Sequence, residues 1–244
     1  MNILVLQHLA VEHPGIFRDF LRADGITWTT VELDAGEVIP DVDAFDLMLV
    51  MGGPQDVWQE SEHPWLREEK AAIRRFVVEL KRPYLGICLG HQLLAESIGG
   101  RVAPAACAEV GMMSLLRTDE GFRDPLLAGF DEPMTVLQWH GAEVAGLPEG
   151  ATILASSEAC RVQAFRWGAH AYGLQFHIEA TADTVAEWAA IPTYAASLEA
   201  ALGADAAERL KSDVDLHLPH LNREASKVYT ALMTLARTAL SVET

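Results

Sequence analysis

The stretch YLGICLGHQ, residues 84–92, decides the fold, because it joins a strand pattern to a helical pattern through a cysteine. The predicted strand ends at Cys88, and Gly86 and Gly90 stand two residues to either side of it. A sharp strand-to-helix turn forces its central residue into strained dihedral angles, and glycine neighbours avoid steric collision there. The pattern is the sulfur analogue of the G-x-S-x-G nucleophile elbow. The stretch therefore predicts an α/β protein with a cysteine at the turn between a strand and a helix.

Cys88 has the surroundings of a nucleophile in this pattern. The dipole of a helix favours a thiolate at the N-terminus of that helix. The backbone N–H of the next residue, Leu89, would then point at an oxyanion formed on a substrate. A buried structural cysteine that closes a core strand is the alternative, and the G-x-C-x-G pattern alone does not separate the two interpretations.

Short strand patterns alternate with helical patterns in the first hundred residues. Strands are predicted over residues 3–6, 26–33, 47–51 and 83–88, and helices over residues 16–22, 64–80 and 92–98. This alternation predicts parallel pairing in an open, doubly wound sheet with helices on both faces. The charged residues of the second helix are expected to face water; they are Arg67, Glu68, Glu69 and Lys70.

The chain after residue 110 has a different character. Strand patterns separated by turns cover residues 112–116, 135–138, 152–155, 162–166 and 171–176. They predict a small antiparallel extension and the last strands of the main sheet. After Glu179 the chain is alanine-rich, and helices are predicted over residues 184–190, 194–202, 205–216 and 223–240. We therefore predict one domain over residues 1–180, with residues 181–244 as a helical C-terminal extension packed on it.

Composition and charge exclude several classes of partner. With 35 acidic and 18 basic residues the formal net charge is −17, which disfavours nucleic acid and anionic membranes as partners. The N-terminal sequence MNILVLQHLA lacks the basic segment of a signal peptide, and no stretch of about 18 apolar residues is present. Cys88, Cys107 and Cys160 lack metal-ligand spacing. This cysteine usage predicts no metal site, no disulfide framework and a cytoplasmic location.

A thiolate nucleophile needs a base and a group that orients the base, and the segment LQFHIEA, residues 174–180, offers both. His177 and Glu179 are two residues apart at the end of a predicted strand, so their side chains point to the same side. Glu179 would hold the imidazole in the required tautomer, as a carboxylate does in a serine triad. The chain has nine histidines, and this spacing is what distinguishes His177 from the others.

A third segment, MGGPQ at residues 51–55, follows another buried strand pattern. Gly52 and Gly53 leave the backbone open to a ligand. We predict the Gly53 N–H as a second oxyanion donor beside the Leu89 N–H. An ordinary tight turn is the alternative interpretation of this segment.

Taken together and in this order, MGGPQ, YLGICLGHQ and LQFHIE resemble the three signatures of class I, triad-type glutamine amidotransferase domains, across residues 45–180. The chain is similar to the stand-alone members related to the glutaminase domain of GMP synthase. The resemblance implies a flavodoxin-like sheet and hydrolysis of L-glutamine to glutamate and ammonia through a γ-glutamyl thioester, without a cofactor. It implies Cys88 as the nucleophile, His177 as the general base and Glu179 as the group that orients it.

The same resemblance implies a set of substrate-binding residues. Gln92, one helical turn after the nucleophile, would contact the substrate, and so would Gly52. The segment QWHG, residues 138–141, resembles the family segment that presents backbone groups to glutamine. The backbone at Trp139 and His140 would thus hold the amino-acid end of the substrate. The chain departs from the family pattern at Ala142, where members often carry aspartate after His-Gly.

The acceptor of the nitrogen is left open by the sequence. The chain has no P-loop and no dinucleotide-binding motif, and the C-terminal extension is too short and helical for an ATP-binding synthetase. Three hypotheses remain: a glutamine amidotransferase or glutaminase with a separate synthetase partner, a hydrolase of another γ-glutamyl amide, and a non-catalytic binding or regulatory protein. One apolar stripe of the extension has three alternative roles, which are packing on the sheet, a lid over the site and a homodimer surface. The stripe is formed by Trp188, Tyr194, Leu198 and Leu202.

Overall fold

The computed structural model describes residues 1–242, in which strands and helices alternate through the first hundred residues. The strands are β1 (Ile3–Gln7), β2 (Trp28–Glu32), β3 (Leu47–Val50), β4 (Tyr84–Ile87), β5 (Arg101–Arg117), β6 (Met134–Gly146), β7 (Ala151–Ser156), β8 (Ala164–Trp167) and β9 (Ala171–Leu174). The helices are α1 (Phe17–Ala23), α2 (Trp65–Arg74), α3 (Leu89–Ser97), α4 (Asp119–Arg123), α5 (Thr184–Ala189), α6 (Pro192–Leu202) and α7 (Ala206–Val242). One π-helical turn continues α2 over Arg75–Glu79.

These nine strands of the described chain form one sheet in the order β2-β1-β3-β4-β9-β8-β7-β5-β6. The first five strands in that order pair in parallel. The remaining strands pair antiparallel and extend the sheet at one side. The predicted fold class is confirmed: the protein is a flavodoxin-like α/β protein with an antiparallel extension.

Helices cover both faces of the parallel part because its strands are apolar on both sides. Ile3 and Val5 of β1 lie in the core formed with α1, α5, α6 and α7. Leu4 and Leu6 point to the opposite face and lie in the core formed with α2 and α3. None of the helices described here has the length and apolar character needed to cross a membrane.

Two helices differ from the sequence prediction. Helix α3 begins at Leu89 and not at residue 92, so Cys88 itself precedes its first turn. Residues 205–216 and 223–240, predicted as two helices, belong to the single 37-residue helix α7, which continues through Pro219. Val214 and Leu221, on either side of this proline, are buried in the same core. Packing of one continuous apolar face thus offsets the hydrogen bond that proline removes.

The environment of α2 is also not as predicted. Glu69, expected to face water, is fully buried. Lys70 is partly buried and forms ion pairs with Glu60 and Glu96 at 2.8 Å and 2.7 Å. The helical pattern could not reveal this, because the partner of Glu69 is His8 on the distant segment after β1.

The sheet brings the three sequence motifs together at one edge. β4 lies between β3 and β9, and all three run in parallel, so their carboxyl ends meet at the same edge. Ligands of open α/β sheets bind at such an edge. Strand β6 reaches the same place, because the Leu137 N–H and C=O pair with the backbone of His177.

Candidate active site

The turn after β4 holds Cys88 in a strained backbone conformation. Its φ of 52° and ψ of −104° lie outside the regions that non-glycine residues usually occupy. A Cβ at Gly90 would lie 2.1 Å from the Val50 carbonyl oxygen, and one at Gly86 would lie 2.3 Å from the Gly90 carbonyl oxygen. The two glycines are therefore required by close backbone packing, as the elbow pattern predicts.

His177 and Glu179 lie next to each other beyond the end of β9. The His177 Nδ1 is 2.6 Å from the Glu179 Oε1, and the Ile178 backbone N–H donates to the other carboxylate oxygen at 3.0 Å. Both side chains are buried. Burial opposes protonation of the imidazole, but the Glu179 carboxylate and the neighbouring Cys88 more than offset this and raise the pKa of His177 well above its ordinary value.

One aromatic ring packs against the buried imidazole of His177, and two more rings extend the cluster. The Trp188 ring lies edge-on to His177, with 4.6 Å between the ring centroids. Trp139 and Tyr194 pack against Trp188, with centroid distances of 5.6 Å and 5.9 Å. The imidazole thus lies in a low-dielectric environment, which strengthens its interaction with Glu179.

Two backbone N–H groups beside Cys88 are free to bind a ligand. The N–H groups of Gly53 and Leu89 have no hydrogen-bond acceptor within residues 1–242. Both residues line the cavity that also contains Cys88. Leu89 is buried and Gly53 is partly buried, and buried backbone donors are rarely left without a partner. The two N–H groups are therefore candidates for binding an oxygen atom of a ligand.

The cavity has a volume of about 140 Å³, and most of the predicted site residues line it. They are Cys88, Leu89, Gly53, Gln92, Trp139 and His140. Gly52 lies just outside this wall, where its carbonyl oxygen contacts His8. The volume is below the roughly 300–1,000 Å³ of sites for drug-sized ligands, so the enclosed part suits a small substrate group.

The predicted substrate-binding side chains have well-defined partners. The Gln92 Nε2 lies 3.1 Å from the Gln175 Oε1 and 3.3 Å from the Ala142 carbonyl oxygen. The Trp139 carbonyl oxygen is 3.9 Å from the Cys88 sulfur. The His140 Nδ1 lies 2.9 Å from the carbonyl oxygen of Ala142, the position in strand β6 at which the chain departs from the family pattern.

Sequence reasoning missed Glu12 as a neighbour of this site. Glu12 is buried and accepts a hydrogen bond from the Tyr194 hydroxyl. Burial raises the pKa of Glu12, while the nearby His177 and the Tyr194 hydroxyl act against the shift. No motif marks Glu12, because the residues that it contacts lie on segments far from it in the chain.

Helix α6 also contributes to the cavity. Thr193, Tyr194 and Ser197 form one wall, and the Ser197 hydroxyl accepts a hydrogen bond from the Trp139 indole at 2.9 Å. The only sequence signal is the apolar stripe that contains Tyr194, for which packing on the sheet is the favoured role and a lid or a dimer surface are the alternatives.

A group of three metal-ligand side chains lies elsewhere in the structure. Asp131, His220 and Glu224 place one ligand atom each within 4.8 Å of one another. The Lys227 ammonium is 2.8 Å from both Asp131 and Glu224 and supplies the positive charge there. None of these residues lines the cavity at Cys88.

Comparison with known proteins gives the family of the chain. The family model described as glutamine amidotransferase class-I matches residues 17–187. The chain belongs to the class I glutamine amidotransferase family. Members of this family hydrolyse the glutamine amide. The family is confirmed by a relative, the glutamine amidotransferase-like protein YfeJ of Salmonella typhimurium, which is 35% identical over 76% of this chain and 78% of its own.

Other relatives carry two kinds of name. The glutamine-hydrolyzing GMP synthase subunit of Saccharolobus solfataricus is 37% identical over 59% of this chain and 75% of its own. Gamma-glutamyl peptidase 3 of Arabidopsis thaliana is 30% identical over 68% of each chain. The crystal structure of a glutamine amidotransferase from Thermotoga maritima superimposes with a TM-score of 0.82 at 27% identity, covering 95% of this amidotransferase-family chain and 97% of that one.

Proposed function

We propose that this protein hydrolyses the side-chain amide of L-glutamine through a γ-glutamyl thioester on Cys88, releasing glutamate and ammonia. One observation carries the proposal: a cysteine in a strained elbow shares a cavity with two acceptor-free backbone N–H groups, beside a histidine that is paired with a carboxylate. A nucleophile, a base, a group that orients the base and an oxyanion site are the parts that acyl transfer requires.

In the first half of the reaction the Cys88 thiolate attacks the amide carbon, and a C–S bond forms. The carbonyl oxygen becomes an oxyanion, to which the N–H groups of Gly53 and Leu89 donate. The C–N bond then breaks, and the His177 imidazolium gives its proton to the departing ammonia. Glu179 favours the charged imidazolium throughout.

In the second half a water molecule attacks the thioester carbon. His177, now neutral, takes a proton from that water, and the same backbone donors hold the second oxyanion. The C–S bond breaks, glutamate leaves and Cys88 is restored. We assign binding of the substrate to Gln92, to Gly52 and to the backbone at Trp139 and His140, because these groups lie on or beside the cavity wall.

Ammonia release from glutamine is the direct test of this proposal. The protein is incubated with L-glutamine and, separately, with larger γ-glutamyl amides; ammonia is measured for glutamine, and glutamate is measured in each case. Mass spectrometry after treatment with a glutamine-analogue chloroketone is expected to find the adduct on Cys88. Fast cleavage of a larger amide with no ammonia from glutamine would contradict the glutaminase assignment.

The destination of the ammonia is a separate proposal. The likeness to the glutamine-hydrolyzing GMP synthase subunit supports a synthetase protein as partner and acceptor. The likeness to gamma-glutamyl peptidase 3 supports the second candidate, a γ-glutamyl hydrolase that needs no acceptor. Pull-down experiments are run with and without bound chloroketone, and each captured synthetase is assayed for glutamine-dependent activity. These results distinguish the synthetase partner from the hydrolase that needs no acceptor.

A non-catalytic role is the third candidate. The paired histidine and carboxylate beside Cys88 speak against it, since a protein that only binds has no need of a base next to a strained thiol. Absence of any Cys88 adduct would favour it. We also propose that residues 1–180 are the amidotransferase domain and that residues 181–244 are an extension on it. The core that α5, α6 and α7 share with β1 supports packing of the extension on the domain.

A further inference from the structure

A buried histidine and glutamate lie directly behind the predicted oxyanion site. The His8 Nδ1 is 2.7 Å from the Gly52 carbonyl oxygen, and the His8 Nε2 is 2.9 Å and 3.1 Å from the two carboxylate oxygens of Glu69. Both side chains are fully buried, and the His8 ring stacks on Trp65 with 5.5 Å between the centroids. Neither residue contacts the cavity at Cys88.

The partners of His8 determine where its protons are. A carbonyl oxygen can only accept, so the Nδ1 carries a hydrogen. The Nε2 lies between two carboxylate oxygens and shares a second proton with them. Burial opposes the charged form of His8, but the Glu69 carboxylate more than offsets this and raises the pKa of His8 above its ordinary value. Both neighbours of the ring are acceptors, so both ring nitrogens are placed to donate, and the Glu69 carboxylate favours the charged form of His8.

The bond to Gly52 also fixes the direction of the Gly53 N–H. The Gly52 carbonyl and the Gly53 N–H belong to one planar trans peptide, so they point in opposite directions. When the carbonyl points at His8, the N–H points away from His8, and Gly53 lines the cavity that contains Cys88. Rotation of this peptide would place a carbonyl oxygen where the oxyanion must bind.

We propose that His8 is a positioning residue, which Glu69 holds in place and which keeps the Gly52–Gly53 peptide oriented with its N–H toward the oxyanion. This inference rests on the proposed acyl-transfer function. A hydrogen bond from a charged donor to the carbonyl also polarises the peptide and strengthens its N–H as a donor. His8 acts through Gly53 and does not touch the substrate.

Stability alone does not account for such a pair. Removing two charges from water costs free energy that their attraction often fails to recover, and apolar residues of similar volume are frequently as stable. Two glycines leave the loop after β3 free to adopt other peptide orientations. The role that we assign to the His8–Glu69 pair is therefore to fix the orientation of the Gly53 N–H.

The test compares variants that differ at His8 alone, on a background in which no buried charge is left unpaired. In Glu69→Gln, a neutral His8 can still donate from Nδ1 to Gly52 and accept at Nε2 from the new amide. His8→Leu/Glu69→Gln removes the donor. His8→Asn/Glu69→Gln restores a donor at the place of the Nδ1, and His8→Met/Glu69→Gln is a second apolar variant if leucine prevents folding.

Three readouts separate orientation of the peptide from a general structural effect. The first is kcat and KM for glutamine. The second is the inhibition constant of glutamate γ-semialdehyde, whose adduct with Cys88 carries an oxyanion. The third is the rate of Cys88 alkylation by iodoacetamide, which needs no oxyanion site. Thermal unfolding shows that each variant is folded.

We expect the apolar variants to lose about 10²-fold in kcat and to bind the aldehyde about 10²-fold more weakly, as for loss of one oxyanion donor. The KM and the alkylation rate should stay within about threefold of the parent. Glu69→Gln keeps a neutral donor on His8 and should lose less kcat than the apolar variants, and asparagine should recover most of the loss. An unchanged kcat in a folded apolar variant, or alkylation that falls with kcat, would overturn the role of His8. A parent protein without activity on any γ-glutamyl amide would overturn the proposed function as well.

Discussion

The β4–α3 elbow and helix α6 both line the cavity at Cys88, but different constraints govern them. At the elbow, a Cβ on Gly90 would meet a backbone oxygen at 2.1 Å, so the backbone itself dictates the residue type. Helix α6 contributes only side chains, among them Tyr194 and Ser197. The family match covers the elbow and ends at residue 187, before α6 begins. We therefore assign the proposed catalysis to the elbow and the selection of substrates to α6.

The largest expected effect is at the elbow thiol. Cys88→Ala should lower kcat for glutamine by roughly 10⁴-fold or more, because no covalent intermediate can form. Cys107→Ser is the matched control, since the Cys107 thiol is exposed and lies outside a strand-to-helix turn. Ammonia release under single-turnover conditions measures both variants. Loss of activity in the Cys107 variant with retention in Cys88→Ala would reverse the assignment.

The next effect is at the base. His177→Ala should lower kcat by about 10²–10⁴-fold, the usual contribution of a general base. The variant should still bind glutamine, because the imidazole packs against Trp188 and does not line the cavity. Isothermal titration in the Cys88→Ala background tests binding alone. Equal losses of kcat and affinity would instead indicate that His177 has a structural role.

The two regions also differ in how well the sequence predicted them. The elbow was readable because part of its requirement is local: a Cβ at Gly86 would meet the backbone of Gly90, four residues further along the chain. The parallel sheet followed from the alternation of strand and helix patterns. Burial of Glu69 was not predicted, because its partner His8 is 61 residues away and the pairing depends on how α2 packs on β1.

The part of the pocket formed by α6 could not be read from the sequence for the same physical reason. Tyr194 lines the cavity, and its hydroxyl donates a hydrogen bond to Glu12, 182 residues away. An apolar stripe on a helix shows that one face is buried, but not which residues it is buried against. The continuity of α7 through Pro219 likewise depends on tertiary packing, which outweighs the local preference of proline.

A smaller effect is expected at the group that orients the base, and it depends on pH. The pKa of His177 is raised above 6.5, so the imidazolium persists at neutral pH and is lost only as pH rises through the raised value. Activity should therefore fall on the alkaline side, where no proton remains for the departing ammonia. Glu179→Gln removes a group that raises the pKa of His177, so this alkaline limb should move to lower pH.

The same Glu179→Gln variant should also lose between about 10-fold and 10³-fold in kcat. A profile of kcat/KM against pH measures the alkaline limb in the parent and in the variant. The Glu187→Gln variant is the control, because this glutamate pairs with His13 at 3.7 Å and not with His177. A limb that stays in place, or that moves to higher pH, would contradict the assignment of Glu179.

The smallest effect is expected at α6, where substrate choice and not chemistry should change. Tyr194→Ala removes part of the cavity wall and should shift the ratio of kcat/KM for larger γ-glutamyl amides over glutamine by roughly 10-fold. Tyr194→Phe keeps the ring and should leave this ratio unchanged. It removes the hydroxyl that donates to buried Glu12, which should destabilise the fold by about 1–3 kcal/mol in thermal unfolding. If alanine instead lowered kcat for every substrate by the same factor, α6 would belong with the elbow as part of the catalytic machinery, and the division between chemistry and selectivity would fail.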